Sequence, residues 1–272
     1  VDLLSGEEVQ ELVGTRVFHG GLLDRRAGTI NPMAYCRGLA RAATAAGAAI
    51  STSACVTKLS RDGTSWRLHT SRGDLTANNV VLGTNAYTDQ LWPGLQNTFT
   101  RIHYLQLATT PLGSEAAHIL PTRQCLWDTG PIMFIYRRDA AGRLLVGTMG
   151  RIIGSGTNGL TRRWAAKQIA RIFPDLGPVT FEHSWHGQIA MTPDHLPRLH
   201  KLDDGVWTPI GYNGRGITTG TLFGQAMADL LTGTPTEDLA LPVSTMSPAP
   251  RSATMARLYD LAFTANQLWR SL

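Results

Sequence analysis

The sequence is poor in cysteine and has no long hydrophobic run. Its three cysteines, Cys36, Cys55 and Cys125, are widely spaced and include no Cys-x-x-Cys pair, so neither a disulfide framework nor a zinc site is expected. Apolar stretches such as 42–50 are far shorter than the ~18 residues that span a bilayer, and no charged-then-apolar leader opens the sequence. We therefore expect a soluble protein of the reducing cytoplasm, with no bound metal and no membrane contact.

Lysine is also scarce. Of the 25 basic residues all but Lys58, Lys167 and Lys201 are arginine, and they are scattered singly or in pairs such as Arg25-Arg26, although the formal net charge is +5. A nucleic-acid-binding protein more often concentrates its basic residues in one stripe with aromatic residues between them. Solvated surface arginines explain the charge more simply, so no nucleic-acid partner is expected.

The 272 residues, 43% of them hydrophobic, are enough for one large domain or two modest ones. Asn31-Pro32 predicts the start of a helix that ends at Gly47, because asparagine caps helices and proline suits the first helical position. Strands are predicted at 49–52 and 55–60, followed by a hairpin. The short apolar run 79–84 is typical of a central parallel strand that is buried on both faces.

The rest of the chain mixes strands and helices. Residues 102–148 are rich in β-branched and aromatic side chains, which favours an antiparallel sheet. A helix near 162–173 and a long strand at 179–189 follow. The last third contains a strand at 205–210, a glycine loop, a helix at 217–231 and an amphipathic tail.

The most informative segment is this glycine loop, which runs from Gly211 to Gly220 between a predicted strand and a predicted helix. Glycines let backbone N–H groups approach a ligand closely, and the N-terminus of the helix adds positive dipole at the same point. Taken alone, the segment is also compatible with an ordinary tight strand-to-helix turn.

Several segments share one family pattern with this loop, in the same order along the chain. They are 20–24, 28–32, 80–88, 142–147, 185–187, 192–194 and 211–220. With these residues the chain resembles the D-amino-acid-oxidase-like superfamily of FAD-dependent oxidoreductases, and within it the amine oxidases of the gamma-glutamylputrescine oxidase type. The resemblance implies a mixed α/β fold, in which a partial Rossmann-like FAD-binding domain accompanies an antiparallel-sheet substrate domain.

The resemblance also implies domain boundaries. Residues 1–98 and 185–247 correspond to the FAD-binding domain, 99–184 to the substrate domain and 248–272 to a C-terminal tail helix. The family pattern begins with a strand, a G-x-G-x-x-G turn and a helix that hold the ADP pyrophosphate, and the sequence opens inside that pattern. We therefore expect a fragment that lacks at least one N-terminal βαβ unit. The G-x-G-x-x-G match at 154–159 is a weak signal and fits a loop between a strand and its helix better.

Site residues follow from the resemblance as well. It assigns contacts with the pyrimidine edge of FAD to Gly214, Arg215, Gly216, Ile217 and Thr218, and other cofactor contacts to Val56, Thr84, Asn85, Ala86, Gly187, Gly211 and Asn213. Val56 is equally compatible with a plain core position. Gly216 is a candidate for a positive φ, since the chain must turn sharply there. Tyr136, His186 and Arg215 are the candidate catalytic residues.

Two departures from the family pattern bear on the chemistry. Members that oxidise α-amino acids place an arginine at the position of Ile189, where it clamps the carboxylate, so an amine without that carboxylate is favoured. Members with covalent flavin have a cysteine at the position of Gly187, so non-covalent FAD is expected. The implied reaction oxidises an amine to an imine, and dioxygen or another acceptor reoxidises the flavin. The alternatives are a non-catalytic fragment that binds no flavin and a dehydrogenase that passes electrons to a partner.

Overall fold

A computed structural model describes residues 1–130, 132–154 and 158–271. The α-helices among them are α1 (Gly6–Val13), α2 (Pro32–Ala45), α3 (Leu160–Ile172), α4 (Gly216–Leu231) and α5 (Ser252–Trp269). The strands are β1 (Asp2–Ser5), β2 (Gly20–Leu23), β3 (Val56–Asp62), β4 (Ser65–Thr70), β5 (Gly73–Ala77), β6 (Val80–Val81), β7 (Thr100–Pro111), β8 (Leu126–Trp127), β9 (Ile135–Arg138), β10 (Arg143–Met149), β11 (Phe181–Met191), β12 (Arg198–Asp203), β13 (Val206–Ile210) and β14 (Val243–Ser244). The predicted mixed α/β class is confirmed.

The chain divides into two compact units. The first comprises Val1–Tyr35, His103–Gly187 and Tyr259–Leu272, and the second comprises Cys36–Ile102 and Gln188–Leu258. Residues 1–35 thus belong with the strands of the expected substrate domain, whereas the sequence grouped them with 36–98. The assignment of FAD binding and substrate binding to separate domains stays a prediction.

The first unit is built on a sheet with the strand order β11-β7-β10-β9-β8, in which β7, β10, β9 and β8 pair antiparallel. One face of this sheet forms the core with α3. Leu107 lies opposite Val146 on that face, and both side chains are fully buried in a cluster that includes Trp164 of α3. Trp164 stacks on Phe134 at 5.2 Å between ring centroids. A two-stranded sheet of β1 and β2 belongs to the same unit.

The second unit contains two sheets, with the strand orders β14-β12-β13-β6 and β3-β4-β5. β13 is buried along its whole length. β6 pairs parallel with β13, as predicted, but it has two residues and lies at the sheet edge. The prediction of a central strand buried on both faces is therefore wrong: among the described residues only β13 pairs with β6, and Val81 is 38% exposed.

The start and the end of α2 agree with the residues that predicted them. The side chain of Asn31 accepts a hydrogen bond from the Ala34 N–H at 3.0 Å at the start of α2, and Gly47 has a φ of +96° just after its end. The strand predicted at 49–52 is wrong, because this stretch has no regular structure and the Thr52 carbonyl accepts from the Arg72 side chain. No helix in the described part of the chain is long and apolar enough to cross a membrane.

Candidate functional site

Two parallel strands of the second unit end side by side, and the loops that follow them are tied together. β6 and β13 run in the same direction, with Val80 opposite Val206. Asn85 follows β6, and its side-chain oxygen accepts a hydrogen bond at 3.0 Å from the N–H of Gly211, directly after β13. Because ligands of open α/β sheets bind outside the carboxyl ends of the strands, these loops form the candidate site of the second unit.

Asn213 fixes the glycine loop through hydrogen bonds of its side chain and its backbone. Its side-chain oxygen accepts hydrogen bonds from the N–H of Thr192 at 2.8 Å and from the Thr192 hydroxyl at 3.1 Å. Its side-chain amide donates to the Gly211 carbonyl at 2.6 Å, and its backbone N–H donates to the Ala190 carbonyl at 3.1 Å. These four hydrogen bonds tie the glycine loop to the end of β11 and to itself.

The backbone of the loop is left-handed at three positions. Gly211 has a φ of +76°, Asn213 of +51° and Gly214 of +82°. A Cβ on Gly211 would also collide with the Thr192 methyl group. Gly216 begins α4 without a positive φ, so the expectation for this residue is wrong: the turn into the helix is completed at Gly214.

The first turn of α4 offers unused hydrogen-bond donors. Arg215 occupies the position before the helix, and no side chain caps the helix start. The N–H groups of Gly216, Ile217 and Thr218 have no partner within a helix that begins there, and all three residues are exposed. Converging N–H donors at a helix start fit the oxygen and nitrogen acceptors on the pyrimidine edge of a flavin.

The turn after β6 is held by an arginine that the sequence did not single out. The hydroxyls of Thr84 and Thr88 lie 2.7 Å apart. Arg101 donates through Nε to the Ala86 carbonyl at 3.0 Å and through Nη2 to the Thr88 carbonyl at 2.7 Å. Asn85 thus contacts Gly211, with Thr84 and Ala86 beside it in the same turn, and the cofactor contacts of these three residues stay a prediction. No local motif marks Arg101, since its partners are backbone carbonyls.

Val56 lies in a different sheet from this loop. It opens β3, pairs with Thr70 at the edge of the three-stranded sheet and is half-buried. A backbone edge of this kind is compatible with the adenine contact that the resemblance implies, which stays a prediction. Gly187 lies on β11 in the first unit, and its cofactor contact also stays a prediction.

In the first unit, the candidate catalytic Tyr136 points into the core. It lies opposite Val146 on the face that packs on α3, is 1% exposed and meets Phe173 edge to face at 5.9 Å. Burial raises the pKa of its hydroxyl. A side chain in this position does not reach a substrate at the surface, so its catalytic role has no support from the geometry.

The opposite face of the same sheet carries polar side chains among apolar ones. Gln106 lies opposite Gly147 and Arg137 opposite Leu145, which places both side chains away from the core. Nη2 of Arg137 lies 3.5 Å from the side-chain oxygen of Gln106. Tyr104 covers Gly147, where a Cβ would lie 2.5 Å from the tyrosine hydroxyl, and burial raises the pKa of that hydroxyl. A side chain at position 147 would therefore force the Tyr104 ring to move.

The other two candidate catalytic residues are accessible. His186 lies exposed on β11 and meets His103 edge to face at 6.2 Å between ring centroids. Arg215 is exposed, and its N–H donates to the Tyr212 carbonyl at 2.8 Å. Within the described residues no group of three or more histidine, cysteine or acidic side chains could hold a metal ion.

The weak G-x-G-x-x-G match at 154–159 includes residues 155–157, which lie outside the described residues. Its flanking glycines, Gly154 and Gly159, have φ values of +109° and +147°, and a Cβ on Gly154 would lie 2.5 Å from the Gly159 Cα. The two ends of the loop are thus packed against each other directly before α3.

The chain is similar to proteins that are named as oxidoreductases. It is 29% identical over 237 residues to the "Probable oxidoreductase OrdL" of Rhizobium meliloti (strain 1021), a match that covers 87% of this chain and 55% of that protein. It is 28% identical over 235 residues to the "Gamma-glutamylputrescine oxidoreductase" of Escherichia coli (strain K12), covering 86% and 55%. The chain therefore spans about half the length of the curated relatives it matches.

Among solved structures, the fold is similar to glycine oxidase from Geobacillus kaustophilus, with a TM-score of 0.71 and 21% identity over 88% of this chain and 65% of that one. This likeness supports the fold. The family model described as "FAD dependent oxidoreductase" (DAO) matches residues 1–230, which confirms the resemblance found in the sequence. The chain belongs to the family of FAD-dependent oxidoreductases of the DAO type.

Proposed function

We propose that the protein takes part in the FAD-dependent oxidation of an amine to an imine, which water then hydrolyses. The observation that carries the proposal is the glycine loop, whose shape is set by Asn85, Asn213 and Thr192 and which ends in uncapped N–H donors. Membership of the family and the similarity to a gamma-glutamylputrescine oxidoreductase support the same reaction class.

The residues of the loop bind and orient the flavin. N–H groups of Gly216, Ile217 and Thr218 donate to the pyrimidine edge, and the dipole of α4 favours negative charge at that edge. FAD held by these residues would supply the two-electron acceptor for the C–N oxidation, with dioxygen or another compound as the final acceptor. The hydrogen bonds of Asn85 and Asn213 orient the loop that leads into these donors.

The surroundings of the loop favour an amine without an α-carboxylate. Ile189 is half-buried, and its Cδ1 lies 3.6 Å from the point where a Cβ on Gly214 would be. An apolar side chain next to the loop offers no charge-assisted hydrogen bond to a carboxylate, whereas an arginine there would offer two. We therefore propose that the part of the substrate next to Ile189 is an uncharged group or an extended chain without a carboxylate.

His186 of the first unit and Arg215 of the second are both accessible polar side chains. An amine must lose its proton before its carbon can be oxidised, and His186 offers an exposed ring nitrogen for such a contact. Arg215 adds an exposed guanidinium beside the glycine loop. Tyr136 is left out of this proposal because it is buried in the core.

The proposal is tested by titrating the purified 272-residue protein with FAD and following the flavin fluorescence. The flavin-loaded protein is then mixed anaerobically with putrescine derivatives, glycine or D-alanine, and bleaching of the flavin absorbance is recorded. We expect bleaching by the amines. A protein that binds no FAD would indicate the non-catalytic alternative. Bleaching that dioxygen does not reverse would indicate a dehydrogenase with a partner protein as acceptor.

A variant of Asn213 tests whether the glycine loop binds the flavin. Asn213→Ala removes the acceptor for Thr192 and the donor to Gly211, and it places a Cβ-bearing residue without a side-chain amide at a positive φ. We expect this variant to bind FAD more weakly than the parent protein. Equal FAD affinity in the two proteins would show that flavin binding does not depend on the glycine loop, and it would overturn the proposed site.

A further inference from the structure

The C-terminal helix α5 brings a carboxylate to a buried histidine of the first unit. Oδ1 of Asp260 lies 3.1 Å from Nδ1 of His103 on β7. The other oxygen, Oδ2, accepts from Nε of Arg151 at 3.1 Å and lies 3.0 Å from its Nη2. The carboxylate is therefore held from both sides, and each oxygen has a separate partner.

This contact fixes the protonation pattern of the histidine ring. An ionised carboxylate only accepts hydrogen bonds, so Nδ1 of His103 carries the hydrogen and donates it to Asp260. The His103 side chain is 9% exposed, so water does not compete freely for Nδ1. A carboxylate at Nδ1 thus sets both the tautomer and the plane of the ring.

The oriented ring touches the candidate catalytic histidine. His103 and His186 meet with ring centroids 6.2 Å apart and an angle of 67° between the ring planes. His103 is buried and His186 is exposed, so the inner ring supports the outer one. A rotation of His103 about its Cβ–Cγ bond would alter the surface against which His186 rests.

Other contacts dock the helix without help from Asp260. Gln267 is fully buried, accepts from the Thr161 hydroxyl at 2.8 Å and donates to the Arg151 carbonyl at 3.1 Å. Phe263 is also buried. Gly150 passes beneath them with a φ of +125°, and a Cβ there would lie 2.8 Å from Nε2 of Gln267. Because these contacts anchor α5, the helix does not depend on the Asp260 carboxylate for docking. The contact of Asp260 with His103 can therefore be assigned to the orientation of the histidine.

We propose that Asp260 is a positioning residue that acts through His103 on His186. Asp260 lies beyond residues 1–230, which the family model matches. The catalytic meaning of the arrangement rests on the proposed function, in which His186 contacts the substrate. The positioning itself is a property of the folded chain and is measurable without flavin.

The test is histidine-selective ¹⁵N NMR of the 272-residue protein and its variants. In the parent protein we expect His103 to be the Nδ1–H tautomer. In Asp260→Ala we expect His103 to lose that preference and the ring signals of His186 to shift. Asp260→Asn keeps an acceptor oxygen, so it is expected to restore both. Asp229→Ala, which removes an acidic residue from α4, is the control and is expected to change neither histidine.

A second variant covers the case in which Asp260→Ala undocks the helix. His103→Gln leaves Asp260, Phe263 and Gln267 in place and is expected to shift the His186 signals as Asp260→Ala does. Unchanged His186 signals in His103→Gln would overturn the proposal, and so would a parent protein in which His103 is the Nε2–H tautomer.

Measurements of amine oxidation distinguish a failure of this inference from a failure of the proposed function. In the flavin-loaded protein we expect Asp260→Ala to lower kcat by about tenfold with little change in KM, and Asp260→Asn to recover most of it. A kcat of Asp260→Ala equal to that of an active parent would overturn the inference. A parent protein that oxidises no amine would instead overturn the proposed function, and the NMR measurements would still decide whether Asp260 positions the histidines.

Discussion

Asn85 and Gly211 are 126 positions apart in the chain, and a hydrogen bond of 3.0 Å joins the side-chain oxygen of the first to the backbone N–H of the second. The bond connects the ends of the parallel strands β6 and β13. Asn85 itself has a φ of +43°, a conformation that asparagine tolerates better than most residues. One residue thus supplies both the turn after β6 and the anchor for the glycine loop.

Replacing this anchor is expected to affect flavin binding and stability together. Asn85→Ala leaves the part-buried N–H of Gly211 without its acceptor, which costs about 1–3 kcal/mol of unfolding free energy. Asn85→Asp keeps an acceptor oxygen and is the matched control. Urea unfolding and FAD titration of both variants check the prediction. FAD affinity unchanged in Asn85→Ala would show that the loop binds no flavin or needs no anchor.

Gly214 and Gly216 are expected to respond differently to alanine. Gly214 has a φ of +82°, so Gly214→Ala costs about 1–2 kcal/mol in backbone strain and lowers the stability of the flavin-free protein. Gly216 begins α4, and a Cβ there meets only Tyr212, at an ordinary 3.7 Å. Gly216→Ala is therefore expected to leave the stability of the flavin-free protein intact.

Flavin binding gives the second half of this comparison. The new Cβ of Gly216→Ala lies at the N–H donors of α4, so we expect weaker FAD binding than in the parent protein. Thermal unfolding without flavin and FAD titration measure the two effects separately. A Gly216→Ala variant that is destabilised but binds FAD as tightly as the parent protein would show that this glycine has only a structural role.

Local chemistry explains which elements were predictable from the sequence. Helix α2 was predicted from its asparagine cap and terminal glycine, and α4 from the glycine loop and Gly233, which has a φ of +109°. These signals act within a few residues. The edge position of β6 was not predictable in this way, because a hydrophobic run does not reveal how many strands pair with it.

The candidate site shows the same limit. Neighbouring residues of a strand point to opposite faces, so Tyr136 and Arg137 could not both face the core, but alternation alone does not tell which one does. Packing on α3 decides it, and Tyr136 is buried. Asp260 was also beyond prediction, since its contact with His103 joins positions 157 residues apart.

The pH dependence of stability is expected to include a contribution from His200. Its Nδ1 lies 3.2 Å from the Ser244 carbonyl, and burial lowers its pKa below the usual 6.5. As pH falls through 6.5 the unfolded chain takes up this proton before the folded one does. The unfolding free energy contributed by His200 is therefore fully present above that pH and is lost as pH falls towards the lowered pKa.

His200→Asn removes the titrating ring and keeps a donor near Ser244. We expect the urea midpoint of this variant to change less than that of the parent protein between about pH 8 and about pH 5. His183→Asn, which changes an exposed histidine, is the control. If the parent protein and His200→Asn had the same pH slope, His200 would not be the source of the acid sensitivity.

Ile189 is expected to set the preference against α-amino acids. Its side chain lies next to Gly214 at the glycine loop and offers no partner for a carboxylate. Ile189→Arg supplies a bidentate donor, so in the flavin-loaded protein we expect the ratio of the bleaching rates, glycine over a putrescine derivative, to rise by about tenfold or more. Ile189→Leu keeps the apolar surface and is expected to leave the ratio unchanged. Anaerobic stopped-flow bleaching measures both variants. If the parent protein were already bleached faster by glycine or D-alanine than by the amines, another group would bind the carboxylate, and the assignment of a carboxylate-free substrate would be wrong.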